Sequence, residues 1–162
     1  MGVGMVRALS GIMRQPFVLL GLALLSACGT PTGPGDQAEF LSRNIALWAR
    51  TGPASYQYTL SRSCECLPEV TQPVMIVVRN LVVAERHYLT GAPVDPQYDA
   101  IFSSVPGLFD LIQQALDANA PGIAVRYNRQ LGYPESIQID WVAGTADDEV
   151  SYRNSDFSPI TP

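Results

Sequence analysis

Cys64, Glu65 and Cys66 form the pattern richest in chemistry in this 162-residue chain. On a regular strand, side chains two residues apart point to the same face. Three chemistries fit the two sulfurs. A local disulfide requires a bent backbone, because the bond tolerates only a narrow Cα separation. Two free thiols would suit a soft ion such as Cu(I), and a redox-active pair would exchange with other thiols. The C-x-x-C spacing is absent and no helix start directly follows the pair to lower a thiol pKa, which weighs against redox catalysis. The disulfide between Cys64 and Cys66 is the leading expectation. His87, the single histidine, lies on a strand beside Arg86 and Tyr88 without a G-x-S-x-G elbow elsewhere in the chain, so it reads as a half-exposed strand residue. Asp140, Asp147, Asp148 and Glu149 gather near the last hairpin but lack the spacing of an EF-hand loop; they read as solvated turn acids that pair with Arg126 or Arg129.

Composition removes further classes. The basic residues are ten Arg with no Lys, against fifteen acids. Without Lys there is no Schiff base, no P-loop lysine and no site for pyridoxal phosphate. One His excludes H-E-x-x-H zinc sites. The reading is of a protein with no catalytic set, no metal site and no cofactor.

The amino terminus carries a second kind of chemistry. Arg7 and Arg14 precede an uncharged, Leu-rich run over 17–27, which suits a secretory signal better than a membrane span of about 20 apolar residues. The run ends in Leu25-Ser26-Ala27-Cys28, which resembles the lipobox of bacterial lipoproteins. That resemblance implies diacylglycerol on the Cys28 thiol, with cleavage just before it. Met1, Met5 and Met13 are all candidate starts, and none changes the mature product. Residues 1–27 are thus expected to be a signal peptide and 28–35 a lipidated Cys with a Gly/Pro tether, up to ~25 Å long if extended. Residues 36–162 are expected to fold as a single domain. Cleavage would remove Arg7 and Arg14 and leave eight Arg against fifteen acids, a net charge of −7. That balance argues against a nucleic-acid partner and against docking on anionic lipid by charge.

The elements that must position these residues follow from periodicity. Asp36 and Glu39 form a capping-box-like pair ahead of an apolar stripe through Phe40, Leu41, Ile45 and Trp48, stopped by Gly52-Pro53. Tyr56, Tyr58 and Leu60 alternate as a strand, and 74–78 with 81–88 flank a turn at Arg79-Asn80. Ser103 or Ser104 caps a second helix through Leu108, Phe109, Ile112 and Ala115, and 119–122 end it. Three more strands follow, around Val125, Ile137 and Tyr152. The fold class is α+β, an antiparallel sheet of about six strands with two helices on one face; short connections forbid parallel crossovers. The order helix-strand-strand-strand occurs twice, which fits either a duplication or chance.

In the central hairpin, Ile76, Val78, Leu81 and Val83 are read as sharing one face and Val77 with Val82 the other. Helices can cover only one of two apolar faces. The other needs a loop over 89–102 or a partner, and Ile76, Val78, Leu81 and Val83 are the candidate partner surface. The run 131–134, Leu-Gly-Tyr-Pro, reads as turn chemistry with a raised chance of a cis bond before Pro134, and function through an exposed Tyr133 stays open.

Several phrases together resemble one family: Tyr56-x-Tyr58, Cys64 with Cys66, the hairpin at Arg79-Asn80, Leu108-Phe109, and 127–134 followed by Ile139-Asp140 and Asp148-Glu149. They are similar to the bacterial lipoproteins known as domain of unknown function 6174. The resemblance implies a small secreted or lipid-anchored domain and no catalytic residues; a Gly is expected in the hairpin, where Asn80 fills the same backbone role. The expected function is a lipid-anchored bacterial envelope protein, on the periplasmic side of the outer membrane if the host has two membranes. It would bind or scaffold an envelope protein partner without catalysis, an inhibitor-like module being one form of this. The alternative is a periplasmic or extracellular redox or metal-binding protein using Cys64 and Cys66.

Overall fold

The structure, a computed structural model, describes residues 1–2, 34–145 and 147–161. Cys28, the apolar run before it and most of the tether lie outside the described residues. Helix α1 (Pro34–Thr51) begins two residues earlier than Asp36, because proline in a first turn has no intrahelical N–H to lose; Asp36 sits in that turn, favourably placed at the helix dipole. Gly52 closes it, its N–H on the Trp48 carbonyl at 2.7 Å, with no room for a Cβ against the Trp48 ring. Three strands follow: β1 (Tyr56–Ser63), β2 (Val74–Arg79) and β3 (Val82–Tyr88). Then come α2 (Val105–Asp117) and three more strands, β4 (Gly122–Tyr127), β5 (Pro134–Asp140) and β6 (Val150–Pro159).

The fold is α+β, with six strands in one antiparallel sheet ordered β3-β2-β1-β6-β5-β4. The helix-strand-strand-strand order does occur twice, and the halves meet where β1 pairs with β6. Both helices contribute to one core with Tyr56, Tyr58, Leu60, Ile76, Ile137 and Ile139 from the sheet. Because side chains alternate along a strand, the opposite face carries Gln57, Thr59, Ser61, Ser136, Gln138 and Ser151.

Expectation and structure part at the central hairpin. Its turn is Asn80-Leu81, with φ of 49° and 69°, so that Arg79 pairs with Val82. Two central residues at positive φ define the turn that matches strand twist, and Gly is the residue that fits the second of them. Here that residue is Leu81. The register then steps from Val78↔Val83 to Val77↔Glu85, leaving Ala84 as a bulge. On the other side Ile76 lies opposite Tyr58 and Val78 opposite Tyr56, and directly paired residues share a face. The expected partner surface is therefore corrected: Ile76 and Val78 are 0% exposed in the core, Val83 packs half-buried against it, and Leu81 stands 73% exposed at the turn tip. Residues 89–104 complete the cover on this side through Val94 and Phe102. Arg86 ties them down, its Nε donating to the Phe102 carbonyl at 2.7 Å and its Nη1 3.1 Å from Asp99 Oδ1.

Helix α2 is capped by a residue 49 positions away. Neither Ser103 nor Ser104 caps it with a side chain; the buried Tyr56 hydroxyl accepts from Val105 N–H at 3.1 Å, and the Tyr58 hydroxyl donates to the Ser103 carbonyl. At its other end Asn119 takes φ 52°, and Ala120 N–H and Asn119 N–H reach the Ala115 and Leu116 carbonyls, the paired bonds of a left-handed helix stop. In the turn before β5, Gly132 has φ 83°, and a Cβ there would lie 2.7 Å from the Asn44 carbonyl of α1. There is no cis peptide bond among the described residues. Tyr133 is buried rather than exposed, stacked on Phe157 with ring centroids 4.5 Å apart.

Candidate functional site

The Cys pair sits where β1 leaves the sheet. Cys66 N–H donates to the Cys64 carbonyl at 2.9 Å, a tight bend that draws the two Cα atoms to 5.2 Å, and the two Sγ atoms are bonded. The two sulfurs have different surroundings. Cys64 is half-buried against the edge of the core, whereas Cys66 and the three residues after it are exposed.

Arg62, the neighbour that sequence reasoning passed over, makes this loop more than a staple. It is paired with Tyr152 across β1 and β6, and its guanidinium carbon lies 5.7 Å from the Tyr152 ring centroid. From there Nη1 reaches to 3.5 Å from Cys66 Sγ. Its Nε is buried with no hydrogen-bond partner among the described residues, and none of the ion pairs among them involves Arg62. A sequence signal was present: an Arg two positions before Cys64 falls on the same strand face.

The open face of the sheet begins beside this loop. Two shallow hollows cross it. One, of about 410 Å³, is bounded by Ala124, Gln138, Asp140, Glu149 and Ser151; the other, of about 310 Å³, by Ser61, Ser63, Ser136 and Arg153. Toward β2 and β3 the same face turns apolar, with Met75 37% and Val82 67% exposed around a buried Val77.

The remaining candidates do not converge on it as one set. His87 Nε2 is 3.0 Å from Glu85 Oε2 on the outer edge strand β3, where Pro93 bridges to His87. Of the late acids, Asp148 accepts from Val142 N–H and so closes its own loop. Arg126 pairs with Glu135 at 3.2 Å instead, because Glu135 is the bulge residue opposite β4. Among the described residues no three metal-ligating side chains cluster, and no helix is long and apolar enough to cross a membrane.

These features define a small α+β module in which two three-stranded units extend one sheet, the helices lie on one face, and a disulfide-bearing loop ends the central strand. Residues 40–159 match the profile of a family of unknown function (DUF6174), and the chain belongs to that family. No curated protein and no solved structure matches it.

Proposed function

We propose that this is a lipid-anchored protein of the bacterial envelope that holds a protein partner on the open face of its sheet. The observation that supports this reading is the one-sided arrangement of the fold. Both helices and the 89–104 segment cover one face, and the other carries an apolar strip (Met75, Val77, Val82) next to hydroxyl and amide side chains. A mixed surface of this kind matches the composition of protein contacts, with apolar anchors among groups that accept and donate hydrogen bonds. Anchoring would come from Cys28, and a short Gly/Pro tether would keep the domain near the bilayer.

Two measurements test it. Cys28→Ala should move the protein from the membrane fraction to the soluble one; continued retention contradicts the anchor. For the face, in-cell crosslinking should give a discrete adduct that is lost with Val82→Arg, an exposed change that spares the core, and kept with Asp110→Arg on the helix side. The opposite pattern places the partner on the helices and ends the reading.

A further inference from the structure

We propose that the Cys64–Cys66 bond is an exchangeable disulfide that oxidises dithiols of a partner protein, with Cys66 as the sulfur that exchanges and Arg62 as the cation that holds its thiolate. This goes beyond the binding role and does not depend on it.

Three observations carry the inference. First, the bond closes a loop with one intervening residue, so it removes very little chain entropy from the unfolded state, and a purely structural purpose would gain little from it. Second, the two sulfurs are unequal in access. An incoming thiolate meets Cys66 in the exposed loop, while Cys64 is shielded against the core. Third, the guanidinium of Arg62 is aimed at Cys66 Sγ from 3.5 Å, fixed over the Tyr152 ring and, among the described residues, taken by no carboxylate. A cation beside a cysteine favours its thiolate. Glu65 and Glu69 are the nearby acids in sequence, both exposed, and their effect on Cys66 opposes that of Arg62 through solvent.

The reaction balances in two exchanges. A partner thiolate attacks Cys66 Sγ; the bond to Cys64 breaks, a partner–Cys66 mixed disulfide forms, and Cys64 leaves as a thiolate that takes up a proton. The partner's second thiolate then attacks the partner sulfur of that mixed disulfide, forming the partner's disulfide and releasing Cys66 as a thiolate facing Arg62. The partner loses two electrons and Cys64–Cys66 gains them. A disulfide-bearing protein oxidant reverses both steps on Cys64 and Cys66 and restores the bond.

The test uses the full chain purified from membranes in detergent and a synthetic peptide with two cysteines, reduced beforehand. Mixed with the oxidised protein, the peptide should be converted to its disulfide with one equivalent of free Cys64 and Cys66 appearing. Given the peptide already in its disulfide form, Cys64→Ser should hold it on Cys66, whose thiolate attacks the peptide disulfide and releases the peptide's other sulfur as a thiolate. In the reduced protein, iodoacetamide should alkylate Cys66 with a pH midpoint below the ordinary thiol value of about 8.5, and faster than Cys64 by about tenfold at pH 7. Arg62→Met should raise that midpoint and Arg62→Lys should restore it, which a merely structural role for Arg62 would not do. A bond that resists the peptide, or a wild-type midpoint for Cys66 at or above 8.5, overturns the proposal without reference to any variant's folding.

Discussion

The half built from α1 and β1–β3 and the half built from α2 and β4–β6 share an element order and a sheet, but their irregular segments do different things. In the second half the turn between β4 and β5 is pulled inward: Asn128 accepts from Gln130 and Leu131 N–H, Gly132 presses against α1, and Tyr133 enters the aromatic cluster of Trp48, Tyr56 and Phe157. In the first half the equivalent connection, 64–73, is pushed outward and carries the disulfide, and the hairpin that follows ends on an exposed leucine. The second half's turn serves the core with its aromatic residue, whereas the 64–73 connection buries only Val70, keeps Cys64 half-buried and leaves Cys66 exposed, as Leu81 is at the hairpin tip.

If the two halves were thermodynamically separate, each would unfold on its own. Ile76 on β2 and Ile137 on β5 are each essentially inaccessible, and truncating a buried Ile to Ala costs about 2–5 kcal/mol. Because β1 and β6 join the halves within one core, Ile76→Ala and Ile137→Ala should each shift a single urea transition by that amount. Two transitions, with each variant moving only one, would show two units.

Next in size is Gly132→Ala. It forces a Cβ into the left-handed region and to within 2.7 Å of a helix carbonyl, so α1 must shift; a loss of about 2 kcal/mol is expected in the same urea assay. The matching change in the first half is smaller. Removing the disulfide with Cys64→Ala and Cys66→Ala should cost roughly 1.5 kcal/mol, since so short a loop constrains the unfolded chain little. If the second change costs more than the first, the outward loop is a structural element after all.

Tyr56 bridges the halves and offers a pH test. Burial pushes its phenol up to about 12, because the charged form is disfavoured in the core. A folded pKa above the unfolded value near 10 means that this contribution is complete below pH 10 and is lost as pH rises toward 12. Stability should fall across that window, less steeply in Tyr56→Phe, which also leaves Val105 N–H unpaired at a cost of about 1–2 kcal/mol at neutral pH. An unchanged slope in the variant would assign the alkaline transition to the other phenols that burial raises, Tyr58 and Tyr127 foremost.

The fold was legible where periodicity was strong. Alternation in 56–60 and 123–127 and the stripe through Leu108 and Ile112 set strand and helix types correctly, and the short connections forced the antiparallel sheet. What sequence could not carry was pairing between distant strands. That Ile76 faces the core follows from its place opposite Tyr58, and that β1 adjoins β6 follows from no local signal. The capping of α2 by Tyr56 was hidden for the same reason. Within the candidate site the cysteines announced themselves by spacing, whereas Arg62 acquires its meaning from the Tyr152 ring across the sheet.

The smallest predicted effect concerns Leu81, and it has the opposite sign. A leucine at φ 69° carries a penalty of roughly 1–2 kcal/mol from its Cβ, and with 73% of its surface exposed it recovers little by packing. Glycine removes that penalty but adds unfolded-chain entropy of about 0.5–1 kcal/mol. The Leu81 N–H bond to the Ala54 carbonyl is kept either way. Leu81→Gly should therefore stabilise the domain by about 0.5–1 kcal/mol, read as a rise in urea midpoint with unchanged slope. Backbone strain held at an exposed apolar tip, next to the exposed Val82, is what a contact residue would retain against the interest of the fold. The same variant should then weaken the crosslinked adduct while gaining stability; a gain with the adduct intact would leave Leu81 outside the partner's reach and confine the surface to Met75 and Val82.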